Sequence, residues 1–240
     1  MRQSRRHSPE VKMQTEPTPS AINPLPMVVW ILALPLIAME VVVGLGASGL
    51  VGGPQAIGWR LDAMERFAFV PELVRMGWES GQWRADTFWR MLTYPLVHAS
   101  FSHALFSIVI LLALGKWVAE VFRPWAVLVV VAGASIAGAV AYTIVPGVNT
   151  ALFGAYPPVY GLIGAFTYLL WVKLGATGGM QYRAFALIGS LMAIQLLFGA
   201  LFGAGWDWVA DIAGFAAGFL LSFVVSPGGW RRFTARLRQR

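Results

Sequence analysis

The stretch FWRMLTYPLVHASFSH, residues 88–103, is where a segment mixing charges with aromatic rings gives way to a long apolar run. Upstream, residues 53–92 interleave paired charges with Trp, Phe and Met. That composition suits the headgroup layer of a bilayer, with rings at the interface and charges in water. Downstream, residues 95–121 are apolar enough to cross the hydrocarbon, and they carry His98, His103 and Ser107 near their beginning.

Working outward, the 240-residue chain is 58% hydrophobic and only 12% charged, with a mean hydropathy of +0.65. A soluble domain of this size would be far more polar. Further apolar runs at 27–52, 125–145, 155–173, 183–204 and 207–226 predict an all-α membrane protein of six transmembrane helices, with residues 53–92 as a long interfacial first loop. The first run is too long for the h-region of a signal peptide and reads as an uncleaved span. Residues 1–25, basic and rich in Ser, Thr and Pro, read as a disordered tail, 26–226 as the membrane domain, and 227–240 as a second basic tail. Without cysteine there are no disulfides, thiolate metal sites or cysteine nucleophiles.

The net charge of +7 would suggest nucleic acid in a soluble protein, but in a membrane chain it reports orientation. The basic residues of both tails, together with Lys116, Arg123, Lys173 and Arg183 in the even-numbered junctions, fall on one side of six spans. Opposite them stand only the arginines of residues 53–92. Both termini are therefore expected in the cytoplasm, in an inner or plasma membrane. The asymmetric loops, with no internal repeat, argue against a transporter built from matching halves.

The 88–103 stretch resembles the rhomboid intramembrane proteases. Their first loop ends in a Trp-Arg pair, here Trp89-Arg90. A Thr-x-x-(Leu/Phe)-x-His stretch follows, here Thr93 to His98, with a second histidine five residues on at His103. Gly115 and Glu120 match the cytoplasmic end of the family's second helix. GAYPPVYGLIG, from Gly154 through Gly161 to Gly164, is similar to its Gly-x-Ser-Gly-x-x-Tyr segment. Asp211, Gly214 and Gly218 fall on its His-x-x-Gly-x-x-x-Gly segment. The resemblance spans residues 27 to 226 and implies the same six-helix bundle.

It also implies where chemistry would occur: a serine on the fourth helix attacks, a histidine on the sixth takes its proton, and a His and Asn on the second stabilise the oxyanion. Carried over by position, the serine falls on Tyr156, the glycine after it on Pro157, the sixth-helix histidine on Asp211 and the asparagine on Ser107. Only His103 is retained. No realignment restores the dyad: His7 lies in the tail, His98 and His103 are on the second span or just before it, and residues 151–172 contain no serine. Since an unassisted hydroxyl is a poor nucleophile, the resemblance implies a rhomboid pseudoprotease.

Taken singly, these residues have structural readings. An intramembrane carboxyl needs a partner, so Asp211 is expected to accept a hydrogen bond from Tyr156 or to pair with His103. A phenol with a pKa near 10 is a weak nucleophile. Ser107 lies four residues after His103 and could bond to it, but without an orienting acid or separate oxyanion donors. The five-residue spacing of His98 and His103 does not suit a metal, and none is expected. Asp207, between Trp206 and Trp208, reads as a solvated carboxylate at the interface. Glu40 in the first span and Gln195 in the fifth need internal partners, a wet recess or another protein's helix, which makes Glu40 a possible docking point. Gly161, Gly164, Gly214 and Gly218 supply small faces for close helix packing, and Pro157-Pro158 suit a first helical turn.

The expected function is a non-proteolytic protein that binds transmembrane helices of clients within the lipid bilayer, without cofactor or nucleic acid. Two alternatives stand beside it: a divergent active intramembrane serine endopeptidase, and an accessory subunit or assembly factor of a larger membrane complex.

Overall fold

The computed structural model describes residues 24–202 and 205–229, so nearly all of both expected tails lies outside the described residues. Helix α1 (Met27–Ala47) follows Pro26 and stops before Gly49, Gly52 and Gly53, whose φ angles of 72°, 83° and 68° are left-handed. The span expected to reach residue 52 therefore ends earlier. Residues 53–92 fold into a 3-10 turn and three short helices: α2 (Trp59–Phe67), α3 (Pro71–Ser80) and α4 (Ala85–Thr93). Pro71 opens α3, and Gly81, left-handed at φ 72°, closes it, the usual asymmetry of helix ends.

Pro95 sits in a second 3-10 turn, Tyr94–Leu96. Helix α5 (Phe101–Ala119) begins only at Ser100, whose Oγ accepts the His103 amide at 3.3 Å, an N-cap. Four helices complete the bundle: α6 (Pro124–Ile144), α7 (Tyr156–Ala176), α8 (Ala186–Phe202) and α9 (Asp207–Val225). Five of the helices, α1, α5, α6, α7 and α9, are long and apolar enough to cross a membrane. At 17 residues, α8 is shorter.

Helix α7 is the core element, buried without interruption from Pro157 to Ala165. Its neighbour α9 meets it backbone to backbone. A Cβ on Gly214 would strike the carbonyl of Pro157, one on Gly218 the carbonyl of Gly161, and one on Gly164 the carbonyl of Phe215. On the other side, Gly161 faces Ala134 of α6, and Gly138 of α6 makes room for Pro157. Small residues allow this approach, which gains dispersion where no hydrophobic effect drives helices together in lipid.

Three arginines of the first loop hold its short helices by hydrogen bonds to carbonyls, Arg90 to one another and Arg75 and Arg60 to the bundle. Arg90 donates to Glu65 O and Ala68 O at 2.9 and 2.8 Å, capping α2, while its guanidinium lies 5.3 Å from the Trp89 ring. Arg75 reaches the open carbonyls at the end of α6, with bonds to Thr143 O, Val145 O and Val148 O of 3.0, 2.9 and 2.8 Å. Arg60 closes on Glu40, below. A two-residue antiparallel bridge, Phe69 to Leu152, joins the loop to the segment that leads into α7.

Gly218→Val puts methyl groups against backbone that cannot rotate aside, so α7 and α9 must separate. The expected loss is about 1–3 kcal/mol, read as a lower thermal midpoint in detergent. An unchanged midpoint would disprove the seam. Arg75→Met, which leaves three carbonyls without their donor, is expected to cost about as much.

Candidate functional site

The polar end of the bundle is built around the start of α7. Gly154, at φ 98°, directs the chain into the helix, and any Cβ there would meet the His103 ring at 2.7 Å. Such a helix start normally offers free N–H groups to an anion. Here the Gly154 amide donates to Tyr94 O at 3.0 Å, Val159 to Ala155 O at 3.0 Å, and Ala155 to His98 Nε2 at 3.3 Å. Pro157 and Pro158 have no N–H. The Tyr156 amide is the one donor of this end that no described residue engages.

His98 is a clamp. Its Nε2 accepts from Ala155, which assigns the ring proton to Nδ1, a buried atom with no partner among the described residues. The Ser107 hydroxyl lies 3.0 Å from the same Nε2 and 2.9 Å from Ala104 O, so Ser107 serves His98 rather than His103. The His98 carbonyl accepts from Arg60 at 2.8 Å. Arg60 in turn holds Glu40 through two bonds of 2.6 and 3.0 Å. Glu40 is 8% exposed and fully engaged inside the protein, which removes it as a docking point: its partner comes down from α2. Neither Arg60 nor Arg75 stood out in the sequence, because nothing local marks which arginine of a loop turns inward.

Asp211 is 3% exposed. Its Oδ2 accepts from Gln195 Nε2 at 2.8 Å, and Gln195 Oε1 accepts from the Tyr160 hydroxyl at 3.0 Å. The expected Tyr156–Asp211 and His103–Asp211 bonds are absent among the described residues. Gln195, the one amide on α8, supplies the donor that Asp211 needs and answers its own requirement at the same time. Tyr156 instead lies flat on His103, with ring centroids 5.0 Å apart and planes at 19°. The second face of the pair is closed by His98, edge-on to His103 at 5.2 Å.

The arrangement brings Tyr156, His103, Asp211 and Gln195 to one end of the protein, but among these four it hydrogen-bonds no hydroxyl to a base. The phenol stacks rather than hydrogen-bonds, and the carboxyl is held by an amide that cannot relay a proton as an imidazole does. Among the described residues no group of three or more His, Asp or Glu side chains is arranged to hold a metal ion.

A helical membrane protein with a polar cleft at the start of its central, glycine-seamed helix is the class that these features define. The Rhomboid domain matches residues 85–228, which is more than half of the chain, and the chain belongs to the rhomboid family. It is 25% identical over 158 residues to a Bacillus subtilis (strain 168) protein named "Putative rhomboid protease YdcA", covering 66% of this chain and 75% of that one. It is accordingly a multi-pass integral membrane protein.

Burial, then the nearby His103 and the Arg60 charge, lower the His98 pKa from 6.5 to about 4, so the fold requires the neutral ring. Its contribution is whole above pH 6.5 and is lost as the pH falls toward 4, on the order of 3 kcal/mol in all. Protonation turns Nε2 from acceptor to donor and releases Ala155. Thermal midpoints in detergent are expected to fall across pH 6.5 to 4, with a flatter profile in His98→Gln. Identical profiles for the two proteins would rule this out.

Proposed function

We propose that this rhomboid-family protein is a pseudoprotease that binds transmembrane helices of client proteins without cutting them. The observation that carries the reading is the start of α7, where Tyr156 stands at the expected nucleophile position and the helix end has lost every anion-binding amide but that of Tyr156, to Tyr94, His98 and two prolines. An oxyanion donor is worth about a hundredfold or more in rate, so the loss of all but one amide compounds the replacement of the nucleophile. The scaffold around the site, by contrast, is intact: the glycine seam, the Trp89-Arg90 cap and the His98 clamp all make specific contacts.

In this reading α8 also crosses, as the fifth of six spans, and both termini are cytoplasmic in an inner or plasma membrane. Helices α2 to α4 lie in the outer headgroup layer, which suits the exposed Trp78, Phe88 and Leu92. With Glu40 internal, the accessory-subunit alternative loses its docking group. The enzyme alternative draws on the name of the Bacillus relative.

A fluorophosphonate probe is expected to leave the purified protein unlabelled, and labelling at a single residue would overturn the inactive reading. Tyr156→Ser combined with Asp211→His is expected to stay unlabelled too, since the two prolines leave only the amide of residue 156 to receive the adduct. Photo-crosslinking from position 156 in native membranes is expected to capture transmembrane segments of other proteins. Recovery of lipid alone would count against client binding.

A further inference from the structure

A cavity of about 410 Å³ opens between α3 and α6, walled by Val74, Arg75, Trp78 and Glu79 on one side and by Val140 and Ile144 on the other. The Trp78 ring is 82% exposed. Neither it nor the exposed Glu79 carboxylate makes a hydrogen bond, ring contact or ion pair among the described residues. Arg75, one turn before Glu79, does not neutralise it. The Arg75 nitrogens are engaged by Glu72, Asn149 and the carbonyls of Thr143, Val145 and Val148. A carboxylate left on an apolar wall calls for a cation with hydrogens to donate, and an indole lining the same cavity adds cation–π attraction. The apolar side of the wall continues along α6. Ile136, Val140 and Ile144, four residues apart, are all exposed on a helix long enough to cross a membrane. A ligand that meets both demands carries an ammonium at one end and a hydrocarbon chain at the other. With α3 in the headgroup layer and α6 in the hydrocarbon, that ligand is a membrane lipid.

We infer that this cavity binds one aminophospholipid, of the phosphatidylethanolamine class, from the leaflet beside α3. Its ammonium donates to Glu79 and lies against Trp78, and one acyl chain follows Val140 and Ile136. A primary ammonium is selected over a quaternary one because only N–H can donate to the carboxylate. Bound there, the lipid joins α3 to α6 beside the Arg75 tie. The inference uses the headgroup-layer placement of α3 and is independent of client binding.

The test places the full chain in nanodiscs holding equal parts of phosphatidylethanolamine, phosphatidylcholine and phosphatidylglycerol with identical chains. Native mass spectrometry then counts the lipids that stay bound. One phosphatidylethanolamine is expected to be retained about tenfold over either competitor. Glu79→Gln, which removes the charge, and Val140→Trp, which fills the cavity, should each abolish the preference, with thermal midpoints in phosphatidylcholine checking that both variants fold. Adding phosphatidylethanolamine to phosphatidylcholine nanodiscs is expected to raise the midpoint of the unsubstituted protein and to leave that of Glu79→Gln unmoved. Equal retention of the three lipids, or a preference that survives either substitution, would overturn the inference. A preference for phosphatidylglycerol would overturn it too, by assigning headgroup choice to Arg75 rather than Glu79.

Discussion

Helix α9 rests directly on the backbone of α7 because Gly214 and Gly218 have no Cβ, and the geometry of the polar end follows from that approach. Gly214 sits on the Pro157 carbonyl and Gly218 on the Gly161 carbonyl, so the register between the two helices is fixed at backbone level. Side chains cannot blur it by changing rotamer. Tyr156 and Asp211, each within a turn of that contact, inherit their positions from it.

Around this seam the protein uses arginine where a soluble fold would use water. Carbonyls at the ends of α2 and α6 have no intrahelical partner, and at the edge of a bilayer an unpartnered carbonyl is unfavourable. Arg90 and Arg75 satisfy them with planar, multi-donor groups. Arg60 does the same for the His98 carbonyl while neutralising the buried Glu40. The short helices of the first loop thus act as a collar fastened to the membrane helices by Arg75 and Arg60, and the His98 ring extends one of these ties to the start of α7.

The changes at the cleft are mutually consistent. An aspartate at position 211 without an imidazole nearby needs a neutral donor, and Gln195 provides one while accepting from Tyr160. A tyrosine at position 156 needs a flat apolar surface, and His103 provides it. Proline at 157 and 158 removes amides that would otherwise need partners when buried. Tyr156, His103, Gln195 and Asp211 each have a structural contact in the cleft, whereas the Tyr156 amide and the His98 Nδ1 have none among the described residues.

The sequence by itself determined the membrane class and the family, and it holds no serine in residues 151–172 and no histidine beyond His103. Hydropathy runs, basic-residue asymmetry and the Trp89-Arg90 to His103 spacing are local or additive signals, and a missing residue type is independent of folding. It also pointed to the glycines that form the seam, since small residues four apart read directly as close packing. Which polar groups meet was decided only by the tertiary structure. Asp211 chose Gln195 over Tyr156 or His103, Ser107 chose His98 nine residues away over its helical neighbour, and Glu40 found Arg60 from a loop helix. Hydrogen bonds reach only about 3 Å, so which of several chemically suitable donors wins depends on helix rotations and tilts that no spacing along one strand of sequence encodes.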